Sequence, residues 1–311
     1  MLHGMILAAG LGTRLRPLSD ELPKPAVPVL NRPLAAFALD HLATSGVGTV
    51  GLNTHHLASR LRATVEPHVP PDMRSLFTVE DEILGTGGGI RATWHALGEP
   101  DPFIVMNGDV LFEPDLARAL RLHKASGAAA TMVLRSSPKA EAYGSVEIDS
   151  AGRVRRLLGL PAGDVGSLRK LMFTGVHIVS GRAIHSLPER GCVVRQGYRT
   201  WLDHGDVIAG MVDDSRWLDL GTVADYAQAQ LDLLIDGQPL PGKLNATAEG
   251  LLDPSARIDQ GARLQHCVVG SGARIAAGIE LTRVIAWPGA VIEHDLTDTI
   301  VTTEGQHVTW R

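Results

Sequence analysis

The sequence predicts an α/β protein, a mainly parallel sheet covered by helices on both faces, followed by a short parallel β-helix. Three observations predict it. Over the first 235 or so residues, strand-like apolar runs alternate with helix-like segments, which implies right-handed crossovers and a parallel sheet. Beyond a stretch rich in Gly and Pro at 236–245, apolar residues recur about every six positions with glycines between them, the mark of a parallel β-helix. The 311 residues are 44% hydrophobic and 20% charged, enough for one large globular domain with a substantial core and a smaller module.

The elements follow in order. Residues 5–9 form a short apolar run that ends at Gly10, suited to a buried strand. Residues 33–45 carry Leu34, Phe37, Ala38 and Leu42 near helical spacing, with Gly46 as the stop. A second strand is expected at 49–53, a helix at 57–65, a third strand at 75–80, and a helix at 88–97 after a glycine run. A fourth strand at 103–106 runs into Asn107-Gly108-Asp109; residues 114–126 read as a helix and 128–134 as a fifth strand. Strands at 145–148 and 173–179 border turns and a loop across 151–170, and residues 203–212 and 222–235 read as helical. Gly237, Pro239, Pro241 and Gly242 mark a linker. The expected domains are therefore 1–236, a linker at 237–245, and the repeat module at 246–311. In that module Ile258, Leu264, Val269, Ile275, Leu281, Ile285 and Val291 are the expected inward residues, with Gly261, Gly270, Gly272, Gly278 and Gly289 between them. The alternative is a small irregular β-sandwich.

Composition narrows the function. A net charge of −5 provides no global basic field for a polyanion, which argues against nucleic-acid binding. The two cysteines, Cys192 and Cys267, are far apart and form no Cys-x-x-Cys pair, so neither a disulfide framework nor a cysteine metal site is expected. The first residues lack the basic region of a secretory signal. No apolar run approaches the roughly 20 residues of a membrane span. A cytoplasmic location without membrane attachment is the expectation.

The strongest chemical signal is Leu7-Ala8-Ala9-Gly10-Leu11-Gly12-Thr13-Arg14-Leu15-Arg16-Pro17-Leu18, followed by Pro23-Lys24-Pro25. A strand ending in a glycine loop bares backbone N–H groups that wrap a phosphate chain. Arg14 adds a planar fork of donors. Lys24, held between two prolines, adds a compact charge on a stiff segment. The spacing fits neither the Walker-type phosphate loop nor the dinucleotide fingerprint. Leu84-Gly85-Thr86-Gly87-Gly88-Gly89 lets a ligand approach the backbone, although taken alone it is also a loop that opens a helix. Asp109 sits where an open parallel sheet presents carboxylates to ligands, and on its own reads equally as a turn residue capping the next helix. Asp219 in Trp217-Leu218-Asp219-Leu220-Gly221-Thr222 reads, by itself, as a metal ligand or as an N-terminal cap.

This extended string resembles the signature of the sugar-1-phosphate nucleotidyltransferases, with its Gly-x-Gly-x-Arg, Pro-Leu and Pro-Lys-Pro elements at matching spacing over roughly residues 1–235. The resemblance implies a Rossmann-like catalytic domain and, for the C-terminal repeat, an appended left-handed β-helix. It implies that Leu7, Ala8, Ala9, Gly10, Gly12, Thr13, Arg14, Gly85, Thr86 and Asn107 bind the nucleotide. It implies that Arg14, Lys24 and Asp109 are catalytic, and that Asp109 and Asp219 hold Mg²⁺. Asn53, Tyr143, Gly144, Thr174 and Gly175 are the implied sugar-pocket residues. The implied substrates are a nucleoside triphosphate and a sugar 1-phosphate. Many members carry a Glu-Lys-Pro triplet after the Tyr-Gly segment. Here the stretch is Arg156-Leu157-Leu158-Gly159-Leu160-Pro161, which removes the basis for glucose-type recognition and leaves Arg169 or Lys170 as substitutes. The mannose guanylyl and N-acetylmuramate uridylyl branches resemble it more, the latter through the triple glycine. Rival readings are a cytidylyltransferase for an alcohol phosphate, a regulatory subunit that binds nucleotide sugars, and an acyltransferase activity in the repeat using His266, His294 or His307. Open β-helix ends also allow a homo-oligomer.

Overall fold

The computed structural model describes residues 1–138, 140–141, 144–160, 166–235, 246–247 and 249–311. Tyr143, Pro161 and the expected linker at 237–245 lie outside them. The chain falls into two compact units, each assembled from separated segments. One holds residues 1–10, 38–58 and 66–217, the other residues 11–37, 59–65 and 218–311.

The first unit is built on a nine-stranded sheet. Leu2–Leu7 lies at its centre, parallel to Val47–Thr54 on one side and Phe103–Asn107 on the other, and Arg74–Val79 continues the parallel half. Met5, Ile6, Val50, Leu52, Ile104 and Val105 are fully buried, as a strand covered on both faces requires. Beyond Phe103–Asn107 the long strand Arg169–Val179 turns the sheet antiparallel, pairing with Phe103–Asn107, Ala130–Arg135 and Ser145–Ile148. Helix Gly85–Ala96 starts earlier than its apolar periodicity suggests and takes in the glycine run. Helix Leu116–Ser126 is capped by the Asp115 side chain, which accepts from Arg118 N, and stops at Gly127 in the left-handed region.

Two expectations fail in this unit. Residues 203–212 are not a helix. Helix Arg199–Asp203 stops at Gly205, φ +78°, and Ile208–Val212 is a strand parallel to Ala130–Arg135. A short apolar run has no decisive period, and the sheet edge offered by Ala130–Arg135 captures it. Val154–Leu157, inside the expected loop, is a strand against Ser145–Ile148. Its four residues are too few to announce themselves by alternation.

His177 lies in this core, fully buried, with Nδ1 2.6 Å from Tyr198 Oη. Burial pushes its pKa from the ordinary 6.5 down to about 3 and pushes the Tyr198 phenol up. Between those pH values the unfolded chain binds a proton that the folded chain refuses. Stability therefore falls as pH drops from about 6.5 towards 3, and this group contributes no pH dependence above that window. Urea melts between pH 7 and 4 should show a slope about 1.4 kcal/mol per pH unit steeper than those of His177→Gln. Equal slopes would mean that His177 is protonated in the native state.

The second unit contains the turn Thr13–Leu15, the short helix Lys24–Ala26, the hairpin Pro28–Val29 with Arg32–Pro33, helix Val223–Ile235 and the repeat. The repeat is a β-helix of three sheets with parallel stacked strands, ended by His307–Thr309 antiparallel to Thr299–Val301. Gly250 pairs with Cys267, Arg257 with Arg274 and Arg263 with Glu280, a coil of 17 residues; the last step shortens to 15. A coil of 17 divided over three faces explains why the sequence period of six slips to five. Val269, Ile275 and Leu281 face its core as expected, joined by Val284, Ala286 and Ile292. Ile258 shares their side, in register with Ile275, but is 37% exposed, and Val291, 48% exposed, faces outward. Ile258 sits on an end strand, and Val291 is the outward neighbour of the buried Ile292. Ile285 is buried on the other side of its strand, in register with Val268 and Ile300. Hydrogen bonds tie the repeat to the rest of the unit. Trp287 Nε1 donates to Tyr226 Oη at 3.0 Å, Tyr226 Oη donates to Pro28 O, and Asn31 Nδ2 donates to Val269 O at 2.8 Å. No helix among the described residues is long and apolar enough to cross a membrane.

Candidate functional site

In the first unit the parallel strands end level. Leu7 is in register with Asn53 on one side and Asn107 on the other, and Asn53 with Thr78. The segments that follow these strands gather along the C-terminal edge of the sheet, where open parallel sheets take their ligands. They include Ala8-Ala9-Gly10, Glu80 to Gly89, and Asn107-Gly108-Asp109. Ala8 and Ala9 are buried and Gly10 is exposed. Gly85 is half-buried and Thr86 exposed, at the start of helix Gly85–Ala96, whose free N–H groups and dipole favour an anion or a polar acceptor.

Asp109 is half-buried in the turn between Phe103–Asn107 and Val110–Phe112, and Gly108 N donates to Leu7 O at 2.9 Å. Asn107 lies against Gly175, φ +85°, where an added Cβ would stand 2.7 Å from Asn107 Cγ. Only glycine allows that approach. Thr174 is buried, and its hydroxyl donates to Val133 O at 2.8 Å while its carbonyl accepts from Trp217 Nε1 at 3.0 Å. Its side chain thus supports the bulge that carries Gly175 (register shift between Phe173 and His177). Gly144 is half-buried before Ser145–Ile148. Tyr143 lies outside the described residues. The basic side chains offered in place of the missing triplet are engaged, Lys170 with Glu141 at 2.8 Å and Arg169 with Ser136 Oγ at 2.8 Å, as is Arg156 of the departing stretch with Glu147 at 3.0 Å.

The Asn53 side chain is 3% exposed and makes protein contacts on both ends: Oδ1 accepts from Ala8 N at 2.9 Å, and Nδ2 donates to Glu80 Oε1 at 2.7 Å. Glu80, 6% exposed, was not singled out by sequence reasoning. Its second oxygen accepts from Leu84 N at 2.9 Å. The available signal was an acid at a strand end, four residues before a helix start. A second support for the glycine loop also escaped notice. Gly191 N donates to Leu84 O at 2.7 Å, Gly87 N to Gly191 O at 2.8 Å, and Val193 N to Thr86 Oγ1 at 2.9 Å.

In the second unit three expected site residues come together. Gly12 adopts φ +61°, and its carbonyl accepts from Leu15 N at 2.8 Å and Ser19 Oγ at 2.9 Å, turning the chain into the 3₁₀ helix Thr13–Leu15. Thr13 and Arg14 are exposed. Lys24, only 5% exposed, lies beneath Gly12 and reaches Asp219 Oδ1 at 3.6 Å. A Cβ at Gly221 would be 3.0 Å from both Arg14 Nη1 and Asp219 Oδ1. Arg14 and Asp219 therefore flank Gly221, and Lys24 reaches the same Asp219 oxygen, two cations beside one carboxylate. Two cations are the donors that a polyphosphate takes, and a carboxylate is a hard ligand for a divalent cation.

The nucleotidyl transferase family profile matches residues 3–235. The chain is 31% identical over 297 residues to the mannose-1-phosphate guanylyltransferase of Mycobacterium tuberculosis, spanning 93% of this chain and 80% of that protein. It is 30% identical over 252 residues to the UTP–glucose-1-phosphate uridylyltransferase of a Synechocystis species, spanning 73% of this chain and 62% of that one. Among solved structures, HddC from Yersinia pseudotuberculosis complexed with GMP-PN matches with a TM-score of 0.61 at 26% identity, over 74% of this chain and 98% of that chain.

Proposed function

This chain belongs to the nucleotidyl transferase family, and on that premise we propose that it transfers a nucleotidyl group from a nucleoside triphosphate to a sugar 1-phosphate, releasing pyrophosphate. The observation that carries the reading to individual residues is the grouping of Arg14 and Lys24 about Asp219, beside Gly221.

A phosphate oxygen of the sugar 1-phosphate attacks the α-phosphorus in line, the new P–O bond forms, and the bond to pyrophosphate breaks. The attacking group is already ionised, so no covalent enzyme intermediate is required. Catalysis then rests on positioning and charge neutralisation. Arg14 holds the leaving pyrophosphate. Lys24 steers the attacking phosphate and offsets its repulsion by the nucleotide. The backbone from Leu7 to Thr13 lines the phosphates, and Gly85, Thr86 and Asn107 contact the nucleoside. Gly144 and Gly175 border the sugar, with Tyr143 and Thr174 around them; Asn53, implied as a pocket residue by the family motif, supports that wall from behind, both ends of its side chain being taken up by Ala8 N and Glu80 Oε1.

Asp109 and Asp219 are the proposed ligands of Mg²⁺. Carboxylate oxygens are the hard donors that this ion takes. Among the described residues no group of three or more His, Cys, Asp or Glu side chains could hold a metal, which suits an ion completing its shell with phosphate oxygens and water. When bound, Mg²⁺ neutralises charge on the phosphates.

GTP with mannose 1-phosphate is the leading substrate pair, in line with the name of the relative that spans 93% of the chain. The test is a matrix of five nucleoside triphosphates against several sugar 1-phosphates, read by pyrophosphate release. The GTP and mannose 1-phosphate pair should show the highest kcat/KM. A different best pair would replace the substrates but keep the reaction. No release with any pair, despite binding of nucleotide sugars, would make the chain a regulatory subunit.

A further inference from the structure

The chain of hydrogen bonds from Ala8 N through Asn53 and Glu80 to Leu84 N begins and ends on a backbone donor. We propose that Glu80 and Asn53 are a pair of positioning residues that lock the phosphate-binding and base-binding segments into one geometry, and that the lock works only with one carboxylate and one amide. Its role for the nucleotide rests on the nucleotidyl-transfer reading above.

The argument is one of donor and acceptor parity. Ala8 N–H and Leu84 N–H can only donate. Asn53 meets the first with its carbonyl oxygen and so presents its NH₂ to residue 80. Residue 80 must therefore accept on both sides, from the Asn53 amide and from Leu84 N–H, and among side chains of this length only a carboxylate does so. A glutamine at 80 leaves two donors facing each other somewhere along the chain, whichever way either amide turns. Both side chains are buried, at 3% and 6% exposure, so water cannot easily relieve the conflict.

Two further observations fit. Glu80 lies before the first turn of the 12-residue helix Gly85–Ala96, where the helix dipole favours a negative charge. The third glycine of the run, Gly89, packs directly on the pair: a Cβ there would stand 2.6 Å from Asn53 Nδ2 and 2.9 Å from Glu80 Oε1. Contacts that short do not occur, so the triple glycine makes room for the lock as well as opening the loop. His55 Nδ1, donating to Glu80 O at 2.8 Å, holds the residue from its backbone side.

The decisive variant is the exchange Asn53→Asp with Glu80→Gln. In it the carboxylate at position 53 accepts from Ala8 N–H and from the side-chain NH₂ at position 80. The amide oxygen at position 80 then accepts from Leu84 N–H, restoring parity with the roles reversed. Each single change should raise KM for the nucleoside triphosphate at least about tenfold, with KM for the sugar phosphate within twofold. The exchange should return the nucleotide KM to within about threefold of wild type. Asn53→Ala, which frees Ala8 but leaves the Glu80–Leu84 bond, should raise the nucleotide KM alone while keeping a folded protein. Amide hydrogen exchange at Ala8 and Leu84 provides a readout independent of turnover. Both amides should be faster in the single variants and protected again in the exchange. If wild type lacks turnover with every substrate pair, these exchange rates still decide the lock. An exchange variant no better than the singles overturns the proposal, as does an equal rise in both KM values or an exchange variant that does not fold.

Discussion

Asp109→Ala is expected to abolish pyrophosphate release in the presence of Mg²⁺, a loss of at least about 10²-fold to 10³-fold in turnover. The side chain stands half-buried at the end of the strand Phe103–Asn107, where the sheet hands its residues to a ligand. Asp109→Asn keeps the size and removes the charge, so a comparable loss there assigns the effect to the carboxylate. The turn itself is carried by Gly108 N donating to Leu7 O, and thermal stability should stay close to wild type in both variants. Titrating Mn²⁺ or Mg²⁺ should show a raised metal requirement in any residual activity of the Asn variant. Near-wild-type turnover of Asp109→Ala would remove this residue from the mechanism.

Lys24→Met should be costly twice over, and the two losses separate. Lys24 and Asp219 form an ion pair at 3.6 Å with side chains only 7% and 11% exposed. Removing one member of a buried pair takes compensating charge from the other, here with Arg14 still nearby, at a cost of about 1–3 kcal/mol of stability. Turnover should also fall by about 10²-fold or more, because a positioned charge on the reacting phosphates is gone. Lys24→Met combined with Asp219→Asn removes both charges. It should recover most of the stability while turnover stays low. Chemical denaturation and pyrophosphate release on the same preparations make the comparison. Recovery of turnover together with stability in the double variant would assign Lys24 a structural role only.

The segments of the candidate site were legible because their constraints are local. Gly12 must take φ +61°, Lys24 must sit on a stiff segment between prolines, and both requirements leave marks within a few residues of the side chain they serve. The β-helix was legible in the same way, through its turn glycines and repeated apolar residues. Its 17-residue coil blurred the period enough that Ile285 and Val291 were assigned to the wrong side, while Ile258, in register with Ile275, is on the expected side and exposed only because its strand is the last of its sheet. Ile208–Val212 was misread because five apolar residues carry no period, and the partner that makes them a strand lies about 80 residues earlier in the chain. Thr174 is a subtler case. Its position matched a family motif, but its hydroxyl is engaged by Val133 O, a contact that no local pattern encodes.

By itself the sequence determined the architecture, the family and the identity of the charged groups, because glycine placement, apolar period and motif spacing are properties of neighbours along the chain. Only the tertiary structure decided which of those groups meet. It paired Lys24 with Asp219, placed Arg14 beside Gly221, and linked Ala8 to Leu84 through two buried side chains. The reason is that a hydrogen bond or ion pair depends on distance in space and on the exclusion of water, and both arise only after segments separated by tens to hundreds of residues have packed together.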